Sequence, residues 1–203
     1  MAWAAAPLAA ACLSLSPSAV IAAECKPIIV FYNGFFEQDR DQGLWRICNN
    51  YNAPEGATKK CRSWSRSHGG YETDFIKEHR DSTSLKTPII LIGYSYGGDT
   101  AYDVAESLPS SYAPTLITLD PVGKQGFTSY LPKPTRGDWI NVYTDPPWLP
   151  NRSDLIARSG VRWKWQDNAD RNREMEIHHD DIGKMFRRVA KPIIEEKLAC
   201  LKE

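Results

Sequence analysis

Gly93-Tyr94-Ser95-Tyr96-Gly97-Gly98 follows directly on the apolar run 89–92. That run opens after Pro88 and is rich in β-branched residues, as a buried parallel strand is. Beyond Gly98, residues 99–108 carry Ala101, Val104, Ala105 and Leu108 on one helical stripe. The order is strand, sharp turn with a serine at its apex, then helix. Such a turn holds the serine in a strained backbone conformation and brings strand and helix very close. Side chains two residues before and after the serine would collide, and both positions, Gly93 and Gly97, are glycine. The strain lifts the hydroxyl clear of its neighbours, where a base can reach it. The pattern G-x-S-x-G alone recurs by chance in roughly one chain of this length in fifteen, taking Gly and Ser at about 7% each. The strand before it and the helix after it separate this occurrence from an ordinary glycine-rich turn.

The chain has 203 residues, enough for one domain with a real core and too few for two ordinary ones. Lys+Arg and Asp+Glu are 25 each, so no basic excess points to nucleic acid. The mean hydropathy of -0.46 fits a soluble protein. Residues 1–23 carry no charge and are mostly Ala, Leu, Ser and Val. The apolar stretch 3–15 is too short to span a bilayer comfortably. Ala19, Ala22 and Ala23 suit signal-peptidase cleavage, although the leader lacks the Lys or Arg of a usual n-region. We expect a signal peptide over 1–23, a single domain over 24–203, and a periplasmic or secreted protein. Removing the leader takes Cys12 with it and leaves Cys25, Cys48, Cys61 and Cys200. An even number of cysteines in an exported chain predicts two disulfides, with three pairings open. Cys48 with Cys61 would close the polar loop 49–60 locally, and Cys25 with Cys200 would tie the start of the mature chain to its end. No C-x-x-C motif occurs.

The strand–serine–helix turn is the nucleophile elbow, and on it the chain resembles the α/β-hydrolase superfamily, its lipase and esterase members most of all. The resemblance runs over roughly 27–198. It implies a minimal α/β-hydrolase fold: a mostly parallel sheet of about five or six strands flanked by helices, without a cap domain. The sequence supplies strands at 27–32, 115–119, 139–143 and 161–165, besides the one before the elbow. Between the first strand and the elbow it shows one amphipathic helix, 71–79, and no clear second strand. Residues 49–70 read as a polar, disulfide-closed segment.

The same resemblance assigns roles. Asn33-Gly34-Phe35, after the first strand, stands where lipases often carry His-Gly-x, so the amide of Phe35, or else of Gly34, would be one oxyanion donor. The amide of Tyr96 would be the other. Against this, Asn-Gly is also a plain turn signal. Asp120 ends the strand 115–119 in the pattern Leu-Asp-Pro, which looks like a lipase subset whose acid follows the first strand after the elbow. Asp145, one strand later, is the other candidate. The superfamily order of Ser, acid, His excludes His68 and His79 and leaves His178 and His179. In related lipases an apolar residue three positions after the histidine docks the next helix. Ile182 meets this for His179, and Asp181 does not for His178. That helix, capped by Asp180 or Asp181, buries Ile182, Met185, Phe186 and Val189. A metal site at 178–181 is disfavoured, because adjacent residues seldom face one ion. Tyr94, Phe36 and Trp148, with Phe35 and Tyr96, are expected around the substrate. Residues 145–150 are either a stiff apolar lid or a plain Pro-rich connection.

The expected activity is hydrolysis of carboxylic esters by a Ser95-His179-Asp120 triad through an acyl-enzyme, with no cofactor and no metal. A thioesterase, amidase or acyltransferase would use the same residues, and a binding protein on this scaffold would not turn over. The expected partner is a small-molecule or lipid ester. A lipid ester would bring transient contact with a membrane surface. The sequence does not set the oligomeric state.

Overall fold

The computed structural model describes residues 25–35, 43–64, 71–81, 87–123, 131–147 and 149–202. The expected leader, Phe36 and Trp148 lie outside these residues, as does the side chain of Cys200.

Six strands form one sheet in the order β2-β1-β3-β4-β6-β8, every neighbouring pair parallel. They are β1 (Ile28–Tyr32), β2 (Thr58–Arg62), β3 (Ile89–Tyr94), β4 (Thr115–Leu119), β6 (Trp139–Thr144) and β8 (Arg171–Met175). A short antiparallel ribbon of β5 (Val122–Gly123) and β7 (Val161–Arg162) stands apart. The four central strands are buried along their whole length, because helices cover both faces. Alternation divides their side chains between the two layers. Ile29, Phe31, Ile90, Ile92 and Ile117 pack with Leu44 of α1 (Gly43–Asn50) and with Met185, Phe186 and Ile194 of the C-terminal helices. Those helices are α5 (Ile182–Met185) and α6 (Lys191–Lys197), joined by one π-helical turn, Phe186–Ala190. Ile28, Val30, Leu91 and Leu116 pack instead with Ile76 of α2 (Tyr71–Asp81) and Ala101, Val104 and Ala105 of α3 (Tyr96–Ser107). Each such side chain contributes roughly 1.5–3 kcal/mol on burial. Among the described residues no segment forms a separate cap.

Three elements depart from the sequence reading. First, the segment 49–70 is not only a loop: it holds β2, Thr-Lys-Lys-Cys-Arg, at the sheet edge and only half-buried. Lysine and arginine on an edge discourage pairing with another chain, and they also hide the strand from a search for apolar alternation. Second, α1 precedes it. Its buried face is only Leu44 and Cys48, four residues apart. Lys59 Nζ donates to the carbonyls of Cys48 at 2.7 Å and Tyr51 at 2.8 Å, satisfying the C-terminal end of this short helix. The disulfide Cys48–Cys61, with Cα atoms 5.9 Å apart, ties α1 to β2. Cys25 is disulfide-bonded as well. Third, 161–165 is not the last strand of the main sheet. Only Val161–Arg162 forms a strand, and it pairs with β5. The last strand of the main sheet is β8, Arg-Asn-Arg-Glu-Met, a charged edge strand whose one apolar residue is Met175.

The strand order sets the position of the site. From β1 the chain steps to β2 on one side, and β3 then pairs on the other side of β1. The loops leaving the C-terminal ends of β1 and β3 therefore diverge, and a crevice opens between them, where open α/β sheets bind ligands.

Candidate active site

Ser95 stands at that crevice, between β3 and α3, with φ 54 and ψ -128. A Cβ at Gly93 would lie 2.2 Å from the carbonyl oxygen of Gly97, and one at Gly97 would lie 2.1 Å from that of Tyr32. A Cβ at Gly98 would meet Pro121 Cβ at 2.6 Å. Side chains at these positions would collide with the neighbouring chain, and at Gly93 and Gly97 with its backbone. The apex is tied down on both sides: Ser95 N–H donates to Leu119 O at 3.1 Å, and Ser95 O accepts from Gly98 N at 2.8 Å and Val122 N at 3.1 Å. A non-glycine residue held at such a φ costs about 1–3 kcal/mol, supplied by the packing around it.

The Ser95 hydroxyl lies 3.1 Å from Nε2 of His179, and Nδ1 of the same ring lies 2.5 Å from Oδ2 of Asp120. All three residues are buried. Asp120 occupies the turn after β4 with φ 41. Its carboxylate also accepts from Thr144 N at 2.9 Å, from Thr144 Oγ1 at 2.9 Å and from Arg162 at 3.1 and 3.3 Å. Burial alone would raise the Asp120 pKa. The His179 hydrogen bond and charge, Arg162 and the Thr144 amide together hold it below the usual carboxylate range. Asp120 therefore stays anionic and favours the His179 tautomer with its proton on Nδ1, an arrangement in which Nε2 can accept a proton from the serine.

His179 lies in the irregular loop between β8 and α5. Tyr94 holds it from β3: its ring stacks on the imidazole at 4.9 Å and its hydroxyl donates to His179 O at 2.9 Å. Tyr94 is thus turned mainly to the imidazole, and it also lines the cavity beside Ser95. That cavity, of ≈ 270 Å³, is walled by Phe35, Tyr96, Ile156 and Ile182 as well. Phe35 is 39% exposed and packs on Trp64 and Tyr96, with ring centroids 4.9 and 5.6 Å away. A Cβ on Gly34 would lie 3.0 Å from Ser95 Cβ, so the Asn33-Gly34-Phe35 turn presses on the elbow. Tyr96 is the first residue of α3, and its amide has no acceptor within the helix. A larger cleft, ≈ 720 Å³, lies between α1 and the C-terminal helices and contains none of these groups.

The alternative site candidates fall elsewhere. Asp145 is exposed, and its N–H donates to Met175 O at 3.0 Å. The His178 ring pairs with Asp154, at 2.7 Å. Asp181 occupies the N-cap position of α5 without a side-chain capping bond, and Asp180 accepts from Asn151 Nδ2 at 3.0 Å. Among the described residues no group of three or more His, Cys, Asp or Glu side chains could hold a metal ion.

Sequence reasoning did not find Thr144, Arg162, Trp64 or Asp154. The first three reach the site through tertiary packing and have no local signature. Asp154 does have one. Asn151-Arg152-Ser153-Asp154 spells a capping box at the start of α4 (Arg152–Ala157).

No family model matches the chain, and no curated protein matches it in sequence. Among solved structures the chain is similar to a protein of Xanthomonas campestris pv. campestris described as a candidate hydrolase of the alpha/beta superfamily. The two are 16% identical over 84% of this chain and 97% of that one, with a TM-score of 0.46.

Proposed function

We propose that the protein is a serine hydrolase of the lipase/esterase type, cleaving carboxylic esters through an acyl-enzyme. The observation that carries this reading is the continuous hydrogen-bonded chain from Ser95 through His179 to Asp120, beginning at a strained apex serine. His179 takes the hydroxyl proton as Ser95 Oγ attacks the ester carbonyl, and Asp120 stabilises the imidazolium. The amides of Tyr96 and Phe35 hold the developing oxyanion, each donor supplying on the order of 3 kcal/mol. The tetrahedral intermediate collapses, the alkoxide leaves with the proton from His179, and water repeats the sequence on the acyl-enzyme. The cavity beside Ser95, walled by Phe35, Tyr96, Ile156 and Ile182, takes the acyl or alcohol group of a small-molecule or lipid ester. The protein works in an oxidising compartment, periplasmic or extracellular, a reading supported by its disulfides. Hydrolysis of p-nitrophenyl esters by the wild type and by Ser95→Ala tests the proposal. We expect turnover in the first and none in the second. Equal rates would contradict it.

A further inference from the structure

Asp154 has no part in that chemistry, yet its side chain is fully buried, 0% exposed, beside the base. Oδ1 accepts from His179 N–H at 2.8 Å. Oδ2 accepts from Asn151 N–H at 2.8 Å and pairs with Nδ1 of His178 at 2.7 Å. Burial by itself would raise the Asp154 pKa. The hydrogen bonds from His178 and from the amides of His179 and Asn151 outweigh it, and the group stays anionic.

A helix cap accounts for only part of this. In a capping box the acidic residue reaches back to the N-cap amide, and one oxygen suffices. Here Oδ2 makes that bond and Oδ1 is directed at the backbone of His179. First-turn acids of helices are usually solvated, and this one is sealed. The base sits in a turn closed by one backbone bond, Asp181 N–H to His178 O at 3.0 Å, which uses neither the N–H nor the C=O of His179. Both peptide groups of His179 are nevertheless anchored by side chains: the carbonyl by Tyr94 from β3 and the N–H by Asp154 from α4. The same helix carries Ser153 and Ile156 into the cavity wall beside Ser95.

We propose that Asp154 is a positioning residue for the base, clamping the His179 backbone to α4 so that Nε2 is held at the serine. The inference rests on the reading of His179 as the general base. Its physical content is distance. A drift of about 1 Å at a reacting group can cost on the order of 100-fold in rate, and the His179–Ser95 bond of 3.1 Å has little room for it.

The test compares Asp154→Ala with Asn151→Ala in the full chain, by kcat and KM on p-nitrophenyl butyrate. The first variant removes both carboxylate oxygens, whereas an amide could still turn its one oxygen to the His179 N–H. The second removes the side-chain cap of α4, and with it the exposed bond to Asp180, but leaves both histidine bonds of Asp154 in place. We expect Asp154→Ala to lose about 10- to 100-fold in kcat with little change in KM. Asn151→Ala should keep kcat within about two-fold even where its melting temperature falls. A wild-type kcat in Asp154→Ala, or equal losses in both variants, overturns the inference. A wild type that hydrolyses nothing overturns the functional reading instead, so the two failures are distinct. Should Asp154→Ala not fold, amide exchange in the wild type decides. The His179 N–H should be strongly protected and shifted downfield by its carboxylate acceptor, and a rapidly exchanging one overturns the clamp.

Discussion

Oδ2 of Asp120 lies 2.5 Å from Nδ1 of His179, although the two residues are 59 positions apart. The contact exists because Asp120 leaves β4 in a left-handed turn, φ 41, and its N–H is fixed to Val142 O at 2.7 Å. The carboxylate is thereby aimed across the sheet edge. Asp145, one strand further on, is exposed. Removing the acid from such a constellation typically costs about 10⁴-fold in turnover. Asp120→Asn should therefore be nearly inactive near neutral pH, while Asp145→Asn keeps most of its activity. Steady-state hydrolysis of a p-nitrophenyl ester, with circular dichroism on the same samples, separates the two. The reverse ranking would move the acid to Asp145.

The strain at the elbow is measurable as stability. Ser95→Gly and Ser95→Ala lose the same hydroxyl, but only glycine adopts φ 54 without a Cβ penalty. Relief of about 1–3 kcal/mol is partly offset by the greater freedom of glycine in the unfolded chain, about 0.4–1 kcal/mol. Ser95→Gly should come out more stable than Ser95→Ala by about 1 kcal/mol in urea unfolding, the resultant of those two terms. An alanine variant as stable as the glycine one would mean that the apex is not strained.

The central strands and the elbow were legible in the sequence because their determinants are local. Pro88 and the run 89–92 announce a buried strand, and Gly93 and Gly97 announce a close approach. The edge strands were not. Thr58–Arg62 and Arg171–Met175 are charged, half-solvated and held by pairing with one neighbour, so no periodicity marks them. Mistaking 161–165 for the last main-sheet strand follows from the same cause. Trp163 and Val161 supply apolar signal, yet Trp163 serves the core and Trp165 is 59% exposed. Of the site, the elbow serine follows from spacing, and Asp120 and His179 were proposed from chain order and resemblance. The groups that orient them arrive from distant elements: Arg162 from β7, Thr144 from β6 and Asp154 from α4.

Acid should destabilise the fold in a defined window. Asp120 and Asp154 both have folded pKa values below the ordinary carboxylate range, despite burial, because of their histidine, amide and, for Asp120, arginine partners. A depressed folded pKa contributes stability that is fully present above the unfolded value, about 3.9, and lost as pH falls through the folded value. Unfolding free energy, followed by denaturant titration, should lose this contribution progressively below about pH 4. Stability that rises as the pH is lowered through that range would contradict the assignment of these groups as buried anions.

The Cys48–Cys61 bridge joins α1 to β2 with a sequence separation of 13. In the chain-entropy model a loop of this size is worth about 3 kcal/mol. The double variant Cys48→Ala, Cys61→Ala should be destabilised by that order in urea unfolding and should remain active when kept folded, since neither residue lines the cavity at Ser95. Unchanged stability would show that the bridge does not constrain the unfolded chain.

Covalent capture of the serine tests the central claim most directly. An alkyl fluorophosphonate phosphonylates a serine whose proton is removed by a neighbouring base, with loss of fluoride. Intact-mass and peptide analysis of the labelled wild type should show one adduct, on Ser95. Labelling should be abolished in Ser95→Ala and slowed by orders of magnitude in His179→Ala, while His178→Ala labels much more nearly as the wild type does. An unlabelled wild type, or an adduct on another serine, would contradict the account.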